Sequence, residues 1–345
     1  MRYSGIGGQA VLEGVMMKNA GEYAVAVRKE DGEIAVEKKE FKSVVESKAV
    51  QKIPLVRGVI NFIDSLVLGI GSLMVSASYF EEEEKPEPKP ESEDSSDDES
   101  LKRLKAGAGL SPTGEAASRE SRPATEGSPL PSVGGRKKGD KAVIGGTVAV
   151  SIVIAIAVFM ILPYYLSQLF RGFIQNNLLL SLIEGAFRLA IFFAYLILVS
   201  LIPDIKRTFM YHGAEHKCIN CIEKGLPLTT ENVRKSSRFH KRCGTSFLLI
   251  VMIVSILIFA LIQVDNRMLR LLLRLALLPV VAGLSFEFIR LAGRTDNPVI
   301  GILSLPGLLL QRITTKEPDD QQIEVGMQSV EAVFDWKEFL EGNKT

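Results

Sequence analysis

Residues 246–263 read SFLLIVMIVSILIFALIQ, and this stretch decides the fold. It carries no charged side chain over a length close to the ~20 apolar residues that a helix needs to cross the hydrocarbon core of a bilayer. A helix is the form such a run must take there, because it satisfies its own backbone polar groups where water cannot. Three further runs share this character, at 143–163, 178–202 and 271–292. The sequence therefore predicts a predominantly α-helical, polytopic membrane protein with about four transmembrane helices.

Residues 55–80, LVRGVINFIDSLVLGIGSLMVSASYF, are long enough to cross as well, but they include Arg57 and Asp64. Topology argues against a crossing. Arg136, Lys137, Lys138 and Lys141 precede the first span, and the loop 203–245 holds nine Lys or Arg residues. The loops 171–177 and 264–270 hold one and two. Excess Lys and Arg mark the cytosolic side, which places 203–245 and the linker before 143 in the cytosol. A crossing at 55–80 would put the basic N-terminal module outside, so this segment is read as an interfacial or re-entrant helix.

The remaining boundaries follow from shifts in composition. Residues 1–54 form a small N-terminal module. In it GIGGQAVLEGVMM reads as a packed glycine-rich loop, and YAVAVRKEDGEIAVEKKEF reads as a β-hairpin turning at Glu30-Asp31-Gly32. Residues 81–141, opening EEEEKPEPKPESEDSSDDES, have no apolar periodicity to offset ordering entropy and read as a disordered linker. Two spans fall within 142–202, a cytosolic loop at 203–245, and two more spans within 246–292. Residues 293–345 hold an interfacial segment, GILSLPGLLLQ, and then an amphipathic helix over 320–340 with Ile323, Met327, Val330 and Phe334 on one stripe. The first residues lack the basic-then-apolar pattern of a cleaved signal peptide.

The net charge of +1 averages a basic loop against an acidic linker. The basic residues sit beside apolar spans rather than forming the stripe of a nucleic-acid binder, so no nucleic-acid partner is expected. Three cysteines give no disulfide framework and fit a reducing compartment. These features place the chain in a bacterial inner (cytoplasmic) membrane, with membrane lipids as its surroundings.

All three histidines and all three cysteines fall between residues 212 and 243, in YHGAEHKCINCIEKG and RFHKRCGTS. Pro203 and Gly225 bracket a predicted helix over 204–223. On it His212 and His216 share one face, with Glu215 at its flank. H-x-x-E-H is the reverse of a common zinc-protease motif, and the same geometry suits two imidazole ligands with a carboxylate as general base. A third metal ligand is sought among His240, Cys243 and Glu287. Ordinary surface histidines are the competing reading. Cys218 and Cys221 point away from the histidine face and are read as incidental. Glu184 and Arg188 pair at i, i+4, and Asp64 either joins them or lines a polar pocket.

The chain resembles a known family in several motifs that occur in order: GGQAVLEGVMM, Arg57-Gly58, YHGAEHK, HKRCGTSFLLIVMIVSILIF, LALLPVVAGLSFEFIRLAG and TTKEPDDQQIEV. The set is similar to the YqhQ-like bacterial membrane family, a domain of unknown function described as a predicted metal-dependent enzyme. The likeness covers nearly all of the chain except the linker. It implies roles for Gly8, Gln9, Glu13, Gly14, His212, Glu215, His216, Lys217, His240, Arg242, Cys243, Gly244, Thr245, Glu287 and Glu317 to Asp320.

Three functions are expected at this point. The first is a metal-dependent membrane hydrolase with an HxxEH site at the cytosolic membrane surface. There Glu215 serves as base, Lys217 or Arg242 stabilises charge, and His212, His216, His240, Cys243 and Glu287 supply the candidate ligands. Its metal is zinc by default, with iron or manganese as alternatives, and its substrate is a lipid or a membrane protein. The second is a non-enzymatic scaffold or assembly factor with a structural metal. The third is a transporter resting on Asp64, Glu184 and Glu287.

Overall fold

A computed structural model of the chain describes residues 3–47, 49–81, 146–262 other than 148 and 152, 264, 266–293 and 297–342. The predicted disordered linker, 81–141, lies outside the described residues except for Glu81, which ends a helix.

Residues 7–40 form a four-stranded antiparallel meander in the order β1 (Gly7–Val11), β2 (Gly14–Asn19), β3 (Glu22–Arg28) and β4 (Ile34–Glu40). The predicted hairpin is β3–β4, with Arg28 opposite Ile34 and Gly32 at φ +85° in its turn. The glycine-rich opening, expected as a loop, is a second hairpin, β1–β2. Its signal is hidden because both faces of the sheet are covered. Val15, Met17, Ala24 and Ala26 face one apolar core, and Val11, Met16, Tyr23, Val25 and Val27 face another. A strand buried on both sides loses the polar alternation that marks a half-exposed one. Gly14 is required by packing, since a Cβ there would lie 2.2 Å from the Ala26 carbonyl oxygen.

Helix α1 (Val56–Glu81) covers the second of these faces with Leu68, Val75, Tyr79 and Phe80. At its other end Gly58 meets Gly283, where a Cβ would come within 2.8 Å of the Gly283 Cα. Asp64 is buried and accepts from Ser43 Oγ at 2.6 Å and Val44 N at 2.8 Å.

The apolar helices follow. They are α2 (Ala149–Gln168, with a π-turn at Ala157–Ile161), α3 (Asn177–Ser200) and, after the polar segment, α6 (Gly244–Leu261). Together with Val56–Phe80, these are four helices long and apolar enough to cross a membrane. The membership differs from expectation at two places: Val56–Phe80, expected to be interfacial or re-entrant, has the length and apolarity of a span, and residues 271–292 are not among the four. Residues 271–292 do not form one helix but break between α7 (Arg267–Ala276) and α8 (Leu278–Ala292). Pro279 sits in the first turn of α8, where its missing N–H costs nothing, and so it starts a helix better than it continues one. Arg274, on α7, donates to Glu184 of α3 at 2.7 Å, and Arg188 donates to the same carboxylate at 2.9 Å.

The polar elements are α4 (Pro203–Glu223), α5 (Thr230–Lys235), α10 (Asp320–Glu331) and α11 (Trp336–Glu341). Helix α9 (Pro298–Thr314), short and apolar, leads into α10. Asp319 opens α10 with a capping box to Gln322. Ile323 and Val330 then enter the core shared with the sheet and α4, with Met327 and Phe334 packed beside them.

Candidate metal centre

Helix α4 places two imidazoles one turn apart, with ring centroids 4.4 Å from each other. Each ring is fixed by its far nitrogen. His212 Nδ1 lies 2.8 Å from the Thr314 carbonyl oxygen, and His216 Nδ1 lies 2.6 Å from that of Arg238. A carbonyl only accepts, so each Nδ1 carries the hydrogen, and in the neutral ring Nε2 is left with its lone pair. Histidine ligands of metals are held by an outer partner of this kind.

The third donor arrives from another element. Cys243 is the N-cap of α6, and its Sγ lies 3.3 Å from His212 Nε2 and 2.9 Å from Thr245 Oγ1. Ligand atoms of His212, His216 and Cys243 all fall within 4.8 Å of one another. This is the metal-capable group of three or more such residues among the described residues.

Electrostatics couple two of these residues, Cys243 and His212. Burial opposes ionisation of the Cys243 thiol, but His212 and His216 outweigh it and hold the thiol well below its ordinary range. The start of a helix acts in the same direction. Burial likewise opposes charge on His212. The Cys243 thiolate, its hydrogen bond, Glu215 and the Thr314 carbonyl together raise the imidazole to about 9. At neutral pH these shifts favour an imidazolium–thiolate pair in the metal-free site.

The hydrolase expectation needs correction here. The convergent donors are His212, His216 and Cys243, a set that is not contiguous and does not include Glu215. A thiolate brought from α6, not an HxxEH motif on one helix, completes the group. Glu215 is buried beside it, with Oε2 3.9 Å from His212 Nε2. A Cβ on Gly8 would come within 2.8 Å of the Glu215 Cγ, so β1 lies directly against this side chain.

The other predicted site residues have partners of their own. His240 is held through its backbone, where N–H and carbonyl both bond the Gln311 amide at 2.8 Å. Its Nε2 lies 3.6 Å from Glu223 Oε2. Arg242 pairs with Glu223 and stacks 4.1 Å over the Tyr3 ring. Burial would raise the Glu223 carboxyl, but His240, Arg242 and Ser4 bring it down to about 2. Lys217 is buried and donates to the Arg234 carbonyl at 2.7 Å, with Glu317 at 2.5 Å. Glu287 accepts two bonds of 2.5 Å from Arg57. Glu13 pairs with Arg207 and accepts from Tyr211 at 3.2 Å. Asp64, Glu184 and Glu287, which carried the transporter reading, are thus each bonded to neighbouring groups.

Cys218 and Cys221 are buried in the apolar core with the sheet and α10, and burial pushes both thiols up. Sequence reasoning missed Gly213. A Cβ there would lie 2.0 Å from the Lys316 carbonyl oxygen, so the residue admits the strand of chain that supplies Thr314. It also missed the two carbonyl partners, which no residue type announces.

The family described as "Protein of unknown function (DUF1385)" matches residues 53–336. The protein named "Uncharacterized protein YqhQ" from Bacillus subtilis (strain 168) is 36% identical over 340 residues, covering 98% of this chain and 95% of that protein. No solved structure matches the chain. With a match over most of its length, this chain belongs to the DUF1385 family of bacterial YqhQ-like membrane proteins.

Proposed function

We propose that the chain is a membrane metalloprotein in which His212, His216 and Cys243 hold one transition metal, zinc by preference, and leave a coordination position for an outside ligand. The observation that carries this reading is the pair of carbonyl-anchored imidazoles turned toward a buried thiolate. Imidazole and thiolate together select zinc, or copper and iron, over hard cations such as magnesium. A purely structural zinc site has four protein ligands, and three is the number that leaves an exchangeable position. Glu215 stands where it can accept a hydrogen bond from that outside ligand.

The reading places the metal on the cytosolic face. The loop 203–245 carries nine of the chain's Lys and Arg residues and lies between two apolar helices. Helix α1 lies in the interface. One side of it packs on the sheet, while Ile63, Leu66, Val67, Ile70 and Leu73 form an exposed apolar stripe for the bilayer.

The test is elemental mass spectrometry of full-length protein purified in detergent without chelators. Wild type carries about one metal per chain, and His212→Ala and Cys243→Ser lose it while keeping the far-ultraviolet spectrum of a folded protein. Cobalt-loaded wild type shows a thiolate charge-transfer band that Cys243→Ser lacks. A wild type that takes up no zinc, cobalt or copper when these are supplied overturns the reading.

A further inference from the structure

A second site lies in the apolar bundle. Helices α6, α8 and α9 flank an open groove of about 500 Å³. Its walls include Val254 and Leu257 of α6, Leu284 and Phe288 of α8, and Leu303 of α9. One wall residue is charged, namely Glu287. Arg57 takes both of its carboxylate oxygens, and Arg290 Nη1 lies 4.0 Å away. Two guanidiniums against one carboxylate leave this group with a charge of +1. The three side chains are 24–32% exposed, so this excess positive charge is open to an anion at the mouth of an apolar groove.

The groove shares helices α6 and α9 with the surroundings of the candidate metal centre. Cys243 caps α6, and Ile250 of the groove follows it by seven residues, about 10 Å along the helix. Leu291 of the groove lies two residues before Gly293, where a Cβ would fall 2.5 Å from the Arg242 side chain. Helix α9 ends at Thr314, which holds His212.

We infer that the groove binds one hydrocarbon chain of an anionic phospholipid, whose phosphate is drawn to the Arg57–Glu287–Arg290 group. The apolar walls accept the acyl chain, and the net positive charge selects the headgroup. Lipid bound in this way begins about 10 Å along α6 from Cys243 and does not touch the metal ligands. The site rests on α6 and α8 lying in the membrane and not on metal occupancy.

The experiment uses full-length protein in lipid nanodiscs and two photoactivatable probes with the same diazirine acyl chain, a phosphatidylglycerol and a phosphatidylcholine. Cross-linked peptides are mapped by mass spectrometry, and metal content is read on the same samples. One unit of excess positive charge gives about fivefold more labelling of residues 250–257 and 284–291 by the anionic probe. Leu257→Trp, filling the groove, removes that excess and leaves labelling at exposed Leu198 of α3 unchanged. Arg290→Gln equalises the two probes while the chain still enters. Equal labelling of the wild type by both probes overturns the proposal, as does labelling that Leu257→Trp does not reduce. Cross-links from these peptides to a second copy of the chain in place of lipid overturn it too. Metal bound without selective labelling defeats the groove alone, and selective labelling without metal defeats the metal reading alone.

Discussion

Gly213→Ala tests the metal centre without altering any metal ligand. Gly213 lies on α4 next to His212, and the added Cβ would sit 2.0 Å from the Lys316 carbonyl oxygen and 3.3 Å from Pro318 Cδ. The nearest obstacle is backbone, so no side-chain rotation relieves it. The chain at Lys316 must retreat by about 1 Å or more to restore an ordinary contact. That movement strains the Lys316 N–H bond to the Phe209 carbonyl, 2.8 Å long, and carries with it Thr314, whose carbonyl fixes His212 Nδ1. Alanine gains about 0.8–1.0 kcal/mol over glycine within a helix. Overpacking costs about 1–3 kcal/mol, so the net loss of stability is about 0–2 kcal/mol. Loss of the outer histidine partner weakens metal binding about 10- to 100-fold. The assay is competition against a chromogenic zinc chelator, with thermal unfolding measured with and without metal. Gly71→Ala on α1 is the control, since nothing lies within 4 Å of its added Cβ. If Gly213→Ala binds zinc as tightly as the control, the carbonyl-anchored histidine is not what organises the site.

Metal affinity will depend on pH in a defined direction. In the metal-free protein His212 stays protonated up to about pH 9, so apparent affinity rises about tenfold per pH unit toward that value and then levels. Titration calorimetry in buffers of different ionisation enthalpy should show a proton released per metal at neutral pH, and no release would contradict the imidazolium–thiolate pair. Glu223, held down to about 2 by its partners, contributes stability that is present above its ordinary value of 4.5 and is lost as pH falls toward 2. Glu223→Gln should therefore lower the melting temperature at pH 7 and narrow its difference from wild type in acid, which differential scanning fluorimetry measures. Gly58→Leu forces apart α1 and α8, where even a Cβ would lie 2.8 Å from Gly283, at a cost of about 1–3 kcal/mol. An unchanged melting temperature would mean that this helix crossing is not close in solution.

The donors of the metal centre were legible because histidine and cysteine are rare in this chain and gather in one segment. Their spacing on α4 placed His212 and His216 on one face, and Cys243 stood among the candidates for the third position. What the motif could not give was the choice among those candidates. Glu287 and His240 carry suitable atoms, yet Arg57 engages the first, and the second faces Glu223 and Arg242. That choice is made by charges on distant segments. The outer partners were less legible still, because Thr314 and Arg238 act through their carbonyls and Gly213 acts through the absence of a side chain.

The same limit explains α1 and the first hairpin, and it bears on how this protein meets the membrane. Length and composition alone describe Val56–Phe80 as a membrane-crossing helix. Its partners tell more, because Leu68, Val75 and Tyr79 cover a sheet whose own strands lack alternation only because α1 is there. The helix thus hides the signature of the sheet, whose first hairpin reads as a loop in the sequence. One face of α1 is taken by protein, and a stripe from Ile63 to Leu73 is left exposed. Under the proposed interfacial placement, this open stripe meets lipid at the water–lipid boundary. That placement would keep the sheet, α4 and α10 on one side of the bilayer, together with the candidate metal ligands, which come from α4 and the first residue before α6.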